Sequence, residues 1–165
     1  MRDLFSRSLD DLAPGLRFST RGRTVTEADV VGFATLSGDF HPQHTDAAWA
    51  ADSPFGERIA HGLLVLSYAA GLVPFDPDRI MALRRVRDVV FKRPVRFGDT
   101  IRVEGRLATV DEVTGVVGVA LTVVNQDAKT AMKATLDVIW RRDSDAAAAS
   151  ADEPELAHAL DCVPL

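Results

Sequence analysis

Apolar and polar residues alternate along much of the second half of this chain. Residues 101–107 and 132–140 alternate with the period of two that is typical of half-buried β-strands. Residues 116–124 are apolar on both faces, as in a central strand. Turn-forming residues separate these runs at 111–115 and 125–129, so we expect neighbouring strands to pair as antiparallel hairpins. Residues 86–97 are expected to form a fourth strand, in which Pro94 imposes a bulge or an edge position.

The first half of the chain has the patterning of helices. Thr26 followed by Asp29 resembles a capping arrangement, and the apolar stripe that runs from there to Gly38 predicts a helix of about ten residues. Residues 46–51 predict a short helix. Residues 60–73 are apolar on every side, and a stretch of this length predicts a helix buried in a core rather than a membrane span.

Helices followed by strands indicate the α+β class, with an antiparallel sheet wrapped around one long buried helix. That outline describes a hotdog fold. A length of 165 residues fits one domain, and 47% hydrophobic with 26% charged residues is typical of soluble globular proteins. We assign residues 1–142 to the domain and expect residues 143–165, which are small and acidic, to form a disordered tail.

The start of the chain carries acidic residues where a signal peptide needs an apolar core, and no apolar stretch reaches the length of a membrane span. We therefore expect a cytoplasmic protein with no membrane partner. The single cysteine, Cys162, cannot form an internal disulfide.

Charge is segregated along the chain, whose net charge is −5. Six acids and no lysine or arginine occur from residue 143 onward. Residues 79–102 hold eight basic side chains, including Arg93, against two acidic ones, and such a patch would attract a phosphorylated partner. The same side chains could instead be solvated faces of strands and loops. No nucleic-acid-binding motif is present, so nucleic acid is not an expected partner.

Candidate chemistry concentrates in residues 38–62, which contain three of the four histidines. Asp39 and His44 could place a carboxylate and an imidazole on either side of one substrate atom, although a solvated turn would use the same residue types. Gly62 is expected at the first turn of the buried helix. Its N–H has no partner within the helix, and its lack of a side chain lets a ligand carbonyl approach.

Other polar residues of this region have more than one interpretation. We expect His61 to cap the buried helix, and Ser67 to be a satisfied core group or to face a substrate pocket. The side chains of Asp39, His41, His44, Asp46 and His61 could also bind zinc or iron. The chain has no His-Glu-x-x-His helix and no cysteine cluster. We therefore predict neither a metal site nor another cofactor.

The motifs in this region resemble those of a known family. Residues 38–46 read Gly-Asp-Phe-His-Pro-Gln-His-Thr-Asp, and residues 55–64 read Phe-Gly-Glu-Arg-Ile-Ala-His-Gly-Leu-Leu. Together with residues 91–100, they resemble the signature of the MaoC-like dehydratases, or R-specific enoyl-CoA hydratases. The resemblance spans about residues 15–142. It implies a hotdog fold, a homodimer with its two sheets joined edge to edge, and a lyase that acts on acyl-CoA or acyl-carrier-protein thioesters.

The reaction implied is reversible syn addition of water to a trans-2-enoyl thioester, which gives an R-3-hydroxyacyl product. By this resemblance Asp39 and His44 are the catalytic aspartate and histidine, and the Gly62 amide contacts the reacting centre. His41 stands where the family usually has asparagine, and Ala70 where some members have serine.

Four further residues are predicted to contact the substrate, and these are His41, His61, Ser67 and Arg93. The basic region that contains Arg93 would meet the phosphates of coenzyme A or of a carrier-protein arm. Two alternative functions remain open. A hotdog thioesterase would direct water at the thioester carbonyl, and a non-catalytic acyl-thioester binding module would not need Asp39 and His44.

Overall fold

The computed structural model describes residues 4–143 of the chain. Two 3-10 turns, Leu4–Ser6 and Leu9–Asp11, come first. The helices are α1 Glu27–Ser37, α2 Pro42–Thr45, α3 Ala47–Ala51 and α4 Gly62–Leu72. The strands are β1 Arg17–Ser19, β2 Arg23–Thr24, β3 Ile80–Phe91, β4 Thr100–Asp111, β5 Val116–Val124 and β6 Thr130–Trp140.

The strands form one antiparallel sheet in the order β1-β4-β5-β6-β3, and β2 also pairs with β4. The predicted hairpins β4–β5 and β5–β6 are confirmed. Apolar side chains of the sheet and of α4 share one hydrophobic core. The α+β hotdog fold is therefore confirmed, with α4 as its central helix.

Both predicted flanking helices are also confirmed. Thr26 and Asp29 form a capping box at the start of α1, in which each side chain accepts a hydrogen bond from the other residue's backbone N–H. Asp46 caps α3, because its carboxylate accepts a hydrogen bond from the Trp49 amide at 3.0 Å. These helices and the loops between them lie ahead of α4 in sequence.

The burial predicted for α4 on every side is wrong for the single chain. Leu64, Val65 and Ala69 are buried against the sheet, whereas Leu63 is 61% exposed. The sheet can cover only the side of the helix that faces it, so an apolar sequence on all sides does not identify what covers the other side. No helix within residues 4–143 is long and apolar enough to cross a membrane.

The predicted fourth strand has the wrong bounds. β3 starts at Ile80 and ends at Phe91, so Pro94 lies beyond the strand rather than in a bulge. The strand is irregular elsewhere, with three register shifts against β6 and a φ of 55° at Asp88. It ends where the amides of Lys92 and Arg93 both donate to the Ala131 carbonyl.

The first residues contribute to the core in a way that their sequence does not signal. Leu4, Phe5 and Leu9 are buried. The Phe5 ring stacks on Trp140 at 6.1 Å between centroids, and the Trp140 indole N–H donates to the Arg7 carbonyl at 3.1 Å. The short strands β1 and β2 also lacked a sequence pattern, because each has only two or three residues.

The basic run 79–102 carries much less free charge than its sequence suggests. Asp137 binds two of its arginines, and three more acids bind Arg79, Arg96 and Arg102. Much of the positive charge expected for this patch is therefore neutralised within the fold, and most of the acidic partners lie far away in sequence. The predicted acidic tail, apart from Asp143, lies outside the described residues.

Candidate active site

A cavity of about 610 Å³ opens at the amino-terminal end of α4. Its wall includes part of the loop after α1, the first residues of α4 and the segment after β3. Five of the predicted site residues line it, namely Asp39, His44, His61, Gly62 and Arg93. The fold therefore brings together candidate groups from three separate parts of the chain.

The loop that carries Asp39 begins where α1 ends. Gly38 has a φ of 77°, a left-handed conformation that favours glycine and ends the helix. The Asp39 amide donates to the Ser37 hydroxyl, and Asp39 Oδ1 accepts a hydrogen bond from the His41 amide, both at 3.2 Å. These bonds fix the backbone on each side of Asp39, while its side chain stays 51% exposed.

His41 lies at the N-cap position of α2 and is not among the residues that line the cavity. Its Nδ1 accepts a hydrogen bond from the Gln43 amide at 3.2 Å, as an asparagine oxygen does at many helix starts. Pro42 follows at the first helical position, which its fixed φ favours. His41 therefore organises the turn that carries His44, and its position does not support the predicted substrate contact.

His44 is buried, and its two ring nitrogens have different partners. Nδ1 lies 2.7 Å from the Ile59 carbonyl oxygen, which can only accept, so Nδ1 carries the proton. Nε2 lies 2.9 Å from the Gln43 side-chain amide nitrogen, which can only donate. The imidazole is therefore neutral in this arrangement, with the Nε2 lone pair as its acceptor.

Burial is the main cause that lowers the pKa of His44 below its ordinary value of 6.5. The charges that His61 and His41 would carry lower it further, whereas the Ile59 hydrogen bond and the Asp39 carboxylate act in the opposite direction. The neutral form of His44 therefore dominates near neutral pH.

His61 occupies the predicted N-cap position of α4, but its side chain makes no capping hydrogen bond. Its Nε2 lies 2.9 Å from the Asp39 carbonyl oxygen and donates to it. Its ring stacks on the His44 ring, with 3.7 Å between centroids and 27° between planes. Within the described part of the chain its buried Nδ1 has no hydrogen-bond partner.

Gly62 starts α4, and the reason for a glycine there is visible in its neighbour. A Cβ built on Gly62 would lie 2.8 Å from two atoms of the Phe91 ring, closer than real Cβ contacts allow. Phe91 also lines the cavity. The sequence does not predict this contact, because an apolar residue at a strand end gives no signal of its distant contact with a helix start.

The two remaining candidates lie in different places. Ser67 is exposed on α4, does not line the cavity, and donates its hydroxyl back to the Leu63 carbonyl at 2.9 Å. Arg93 does line the cavity, and its guanidinium donates to the Thr130 carbonyl at 3.0 Å. Lys92 lines the cavity beside it. Positive charge therefore reaches this wall, whereas Ser67 makes no contact there.

Asp39, His44 and His61 each offer one possible metal-ligand atom, and these atoms lie within 4.8 Å of one another. The two imidazoles are stacked, however, so their in-plane lone pairs lie in nearly parallel planes. Ligands of one ion must instead converge on a common point. The arrangement fits a pair of proton-exchanging groups better than a metal centre.

Comparison with known sequences agrees with the predicted resemblance. The profile of the MaoC like domain matches residues 12–129. The chain is 43% identical to Protein MaoC of Klebsiella aerogenes over 100 residues, which cover 60% of this chain and 30% of that protein. It is 36% identical to 3-hydroxybutyryl-CoA dehydratase of Methylorubrum extorquens over 106 residues, which cover 60% and 62%. The chain thus spans less than two thirds of either relative.

Solved structures have the same fold. A protein described as the monoamine oxidase regulatory protein of Archaeoglobus fulgius is 36% identical, with a TM-score of 0.76 over 82% of this chain and 95% of that one. The R-hydratase PhaJ1 of Pseudomonas aeruginosa is 31% identical, with a TM-score of 0.69 over 82% and 86%. One of these two names describes a hydratase and the other a regulator.

Proposed function

The chain belongs to the MaoC-like domain family, and on that premise we propose that it catalyses the reversible syn addition of water to a trans-2-enoyl thioester. The product is an R-3-hydroxyacyl thioester. The observation that carries this proposal is that Asp39 and His44 line one cavity beside the start of α4, with a carboxylate oxygen and a ring nitrogen within 4.8 Å of each other.

The proposed hydration moves two protons. A water molecule forms a bond to C3 while the Asp39 carboxylate accepts one of its protons. The electron pair of the double bond shifts toward C2 and the thioester oxygen, and protonated His44 delivers its Nε2 proton to C2. This step requires the Gln43 side-chain amide, which donates to Nε2 in the free protein, to move away when the substrate binds. Transfer of a proton from Asp39 to His44 then restores the starting state. Dehydration is the same path in reverse.

Charge grows on the thioester oxygen in this step, and the amide of Gly62 is placed to stabilise it. Gly62 is the first residue of α4, so its N–H has no partner within the helix. Loss of one such donor in other enzymes costs about 3–4 kcal/mol of transition-state stabilisation. The helix dipole adds to the same effect.

This scheme predicts a definite pH dependence. Hydration needs ionised Asp39 with protonated His44, and dehydration needs protonated Asp39 with neutral His44. Both forms hold the same number of protons, so kcat/KM should vary with pH in the same way in both directions. Because the pKa of His44 lies below 6.5, both rates should fall as the pH rises from about 6 to about 8. Rates that rise over this interval would contradict the assignment of the proton to His44.

The substrate is proposed to be bound to coenzyme A or to a carrier protein. Lys92 and Arg93 at the cavity wall provide the positive charge that phosphates of either carrier would meet. We also propose a homodimer, in which a second copy covers apolar groups such as Leu63 that the single chain leaves exposed.

The test is incubation of the protein with short and medium trans-2-enoyl-CoAs. We expect the absorbance of the conjugated double bond to decrease without release of free thiol. Release of free thiol would instead identify a thioesterase. Binding of the enoyl-CoA with no turnover would identify a non-catalytic module, which is compatible with the regulatory name of one structural relative. Asp39→Asn is the control, because it keeps the size of the side chain but loses its charge.

A further inference from the structure

His41 and His61 occupy equivalent positions but use their rings differently. Each is the N-cap residue of a helix, with nearly the same backbone, φ −53° and ψ 136° at His41 against φ −59° and ψ 135° at His61. His41 caps its helix through Nδ1, whereas His61 makes no cap hydrogen bond. The His61 ring instead contacts Asp39 and His44, the two residues that we propose for proton transfer.

Those contacts are a hydrogen bond and a ring stack. His61 Nε2–H donates to the carbonyl oxygen of Asp39 at 2.9 Å, and the His61 ring stacks on the ring of His44 at 3.7 Å. Phe33 packs against the same ring at 5.0 Å and helps to hold its plane. His61 is 2% exposed, so little space remains for the ring to turn.

One feature of His61 is unfavourable for stability. Its Nδ1 is buried and has no hydrogen-bond partner among residues 4–143. A buried acceptor without a partner costs free energy, and native proteins keep few of them. A phenylalanine would fill much the same space with no polar atom to bury. The presence of an imidazole here therefore needs a reason other than packing.

We propose that His61 is a positioning residue for the Asp39–His44 pair. Its N–H holds the Asp39 backbone, and its ring fixes the plane of the His44 imidazole. This inference rests on the proposed hydration. His61 itself transfers no proton, and its role is to place the two residues that do. It differs from the substrate contact expected for His61 on sequence grounds.

The stack also affects how His44 holds a proton. Two stacked imidazoles cannot both be charged without strong repulsion, so His61 disfavours protonation of His44. The other charged or titratable groups around His44 are Asp39 and His41 on its own side, with Lys92 and Arg93 on the facing cavity wall. Of these groups only Asp39 contacts His61, and the titration of His44 in Asp39→Asn alone gives the separate contribution of that carboxylate.

Two substitutions separate the two contacts. His61→Phe keeps an aromatic ring for the stack but loses the donor to Asp39. His61→Gln keeps a nitrogen donor at about the place of Nε2 but loses the ring. Thr35→Ala serves as a control on α1, because the Thr35 hydroxyl only donates to the Val31 carbonyl of its own helix.

We expect both His61 variants to lose about 10- to 100-fold in kcat with KM changed by less than about threefold, because the misplaced pair affects chemistry more than binding. His61→Phe should change Tm little, since it removes the unpaired Nδ1 but also the hydrogen bond to the Asp39 carbonyl. Adding His61→Phe to Asp39→Asn should cost little further activity, because His61 acts through that residue. Near-wild-type kcat in both variants, or fully additive losses, would overturn the proposal.

A second measurement does not depend on turnover. NMR of the histidine rings should find the His44 proton on Nδ1 in the wild type, and the His44 titration midpoint should rise in both His61 variants. The opposite tautomer, or an unchanged midpoint, would overturn the positioning role. If wild-type protein fails to hydrate enoyl-CoAs while these NMR results hold, the proposed reaction is wrong and the positioning of His44 by His61 stands.

Discussion

Replacing Gly62 by alanine tests whether the first residue of α4 must lack a side chain so that a substrate can approach its amide. The new Cβ would lie 2.8 Å from Cε1 and Cζ of Phe91, whereas ordinary contacts begin at 3.4 Å. The ring must therefore move by at least about 0.6 Å. Phe91 is 51% exposed, so it can swing toward solvent or into the cavity that it lines.

The expected change in stability is small. Crowding in a packed core costs about 1–3 kcal/mol, and a half-exposed ring should cost no more than the low end of that range. Alanine also favours a helix over glycine by up to about 1 kcal/mol. The two effects nearly cancel, so urea unfolding should find Gly62→Ala within about 1 kcal/mol of wild type.

The effect on activity should be much larger. A methyl group at the start of α4 would keep a substrate carbonyl away from the Gly62 amide, and loss of that contact should lower kcat/KM for an enoyl-CoA by at least about 100-fold. The double variant Gly62→Ala/Phe91→Ala distinguishes two reasons for the glycine. If the substrate needs the space, removing the ring restores nothing. Recovery to the level of Phe91→Ala alone would refute this reasoning, because Phe91 would then be the only group that the glycine accommodates.

Three further substitutions test other parts of the molecule. Asp39→Asn and His44→Ala should each lower hydration by at least about 100-fold with the fold intact by circular dichroism, and their combined loss should be less than additive. His41→Asn should keep most of the activity, since asparagine can accept the same capping hydrogen bond, and a complete loss would show a catalytic or metal-binding role. Asp137→Ala should lower the free energy of unfolding in urea by about 1–3 kcal/mol, because the buried carboxylate accepts hydrogen bonds from two arginines. An unchanged midpoint would show that those arginines need no partner.

The Asp137 effect should also depend on pH. Burial alone would raise the pKa of this carboxyl, but hydrogen bonds from Arg87 and Arg85 and their charges lower it below its ordinary value of 3.8. A lowered folded-state pKa gives stability that is present above the ordinary value and is lost as the pH falls through the folded-state value. The difference between wild type and Asp137→Ala should therefore shrink below about pH 4.

The sequence patterns correctly predicted features that depend on residues close together in the chain. The capping box of Thr26 and Asp29 involves residues three positions apart, and the β4–β5 and β5–β6 hairpins join strands that are neighbours in sequence. The placement of Asp39 and His44 at one cavity could be anticipated for the same reason, since a short loop and one helical turn carry both groups. In each case the partner lies within a few residues or across one turn.

What the sequence did not predict depends on distant partners. The acids that bind the basic run lie up to 64 positions away, at Asp143 for Arg79, and no pattern connects them. Phe91 meets Gly62 across 29 positions, because β3 ends beside the start of α4. The ring orientation of His61 could not be predicted either, since N-cap histidines with nearly the same backbone angles differ in this chain.

The two groups proposed for proton transfer differ in their exposure to solvent, although they are five positions apart. Asp39 precedes α2 on a loop and is 51% exposed, so water can stabilise its negative charge. The helical turn that starts at Pro42 carries His44 inward to 4% exposure, where desolvation favours the neutral ring. One short segment thereby places an exposed carboxylate beside a buried imidazole whose neutral form is favoured. In the proposed hydration, this difference in environment would let one group accept a proton from water while the other exchanges a proton with carbon.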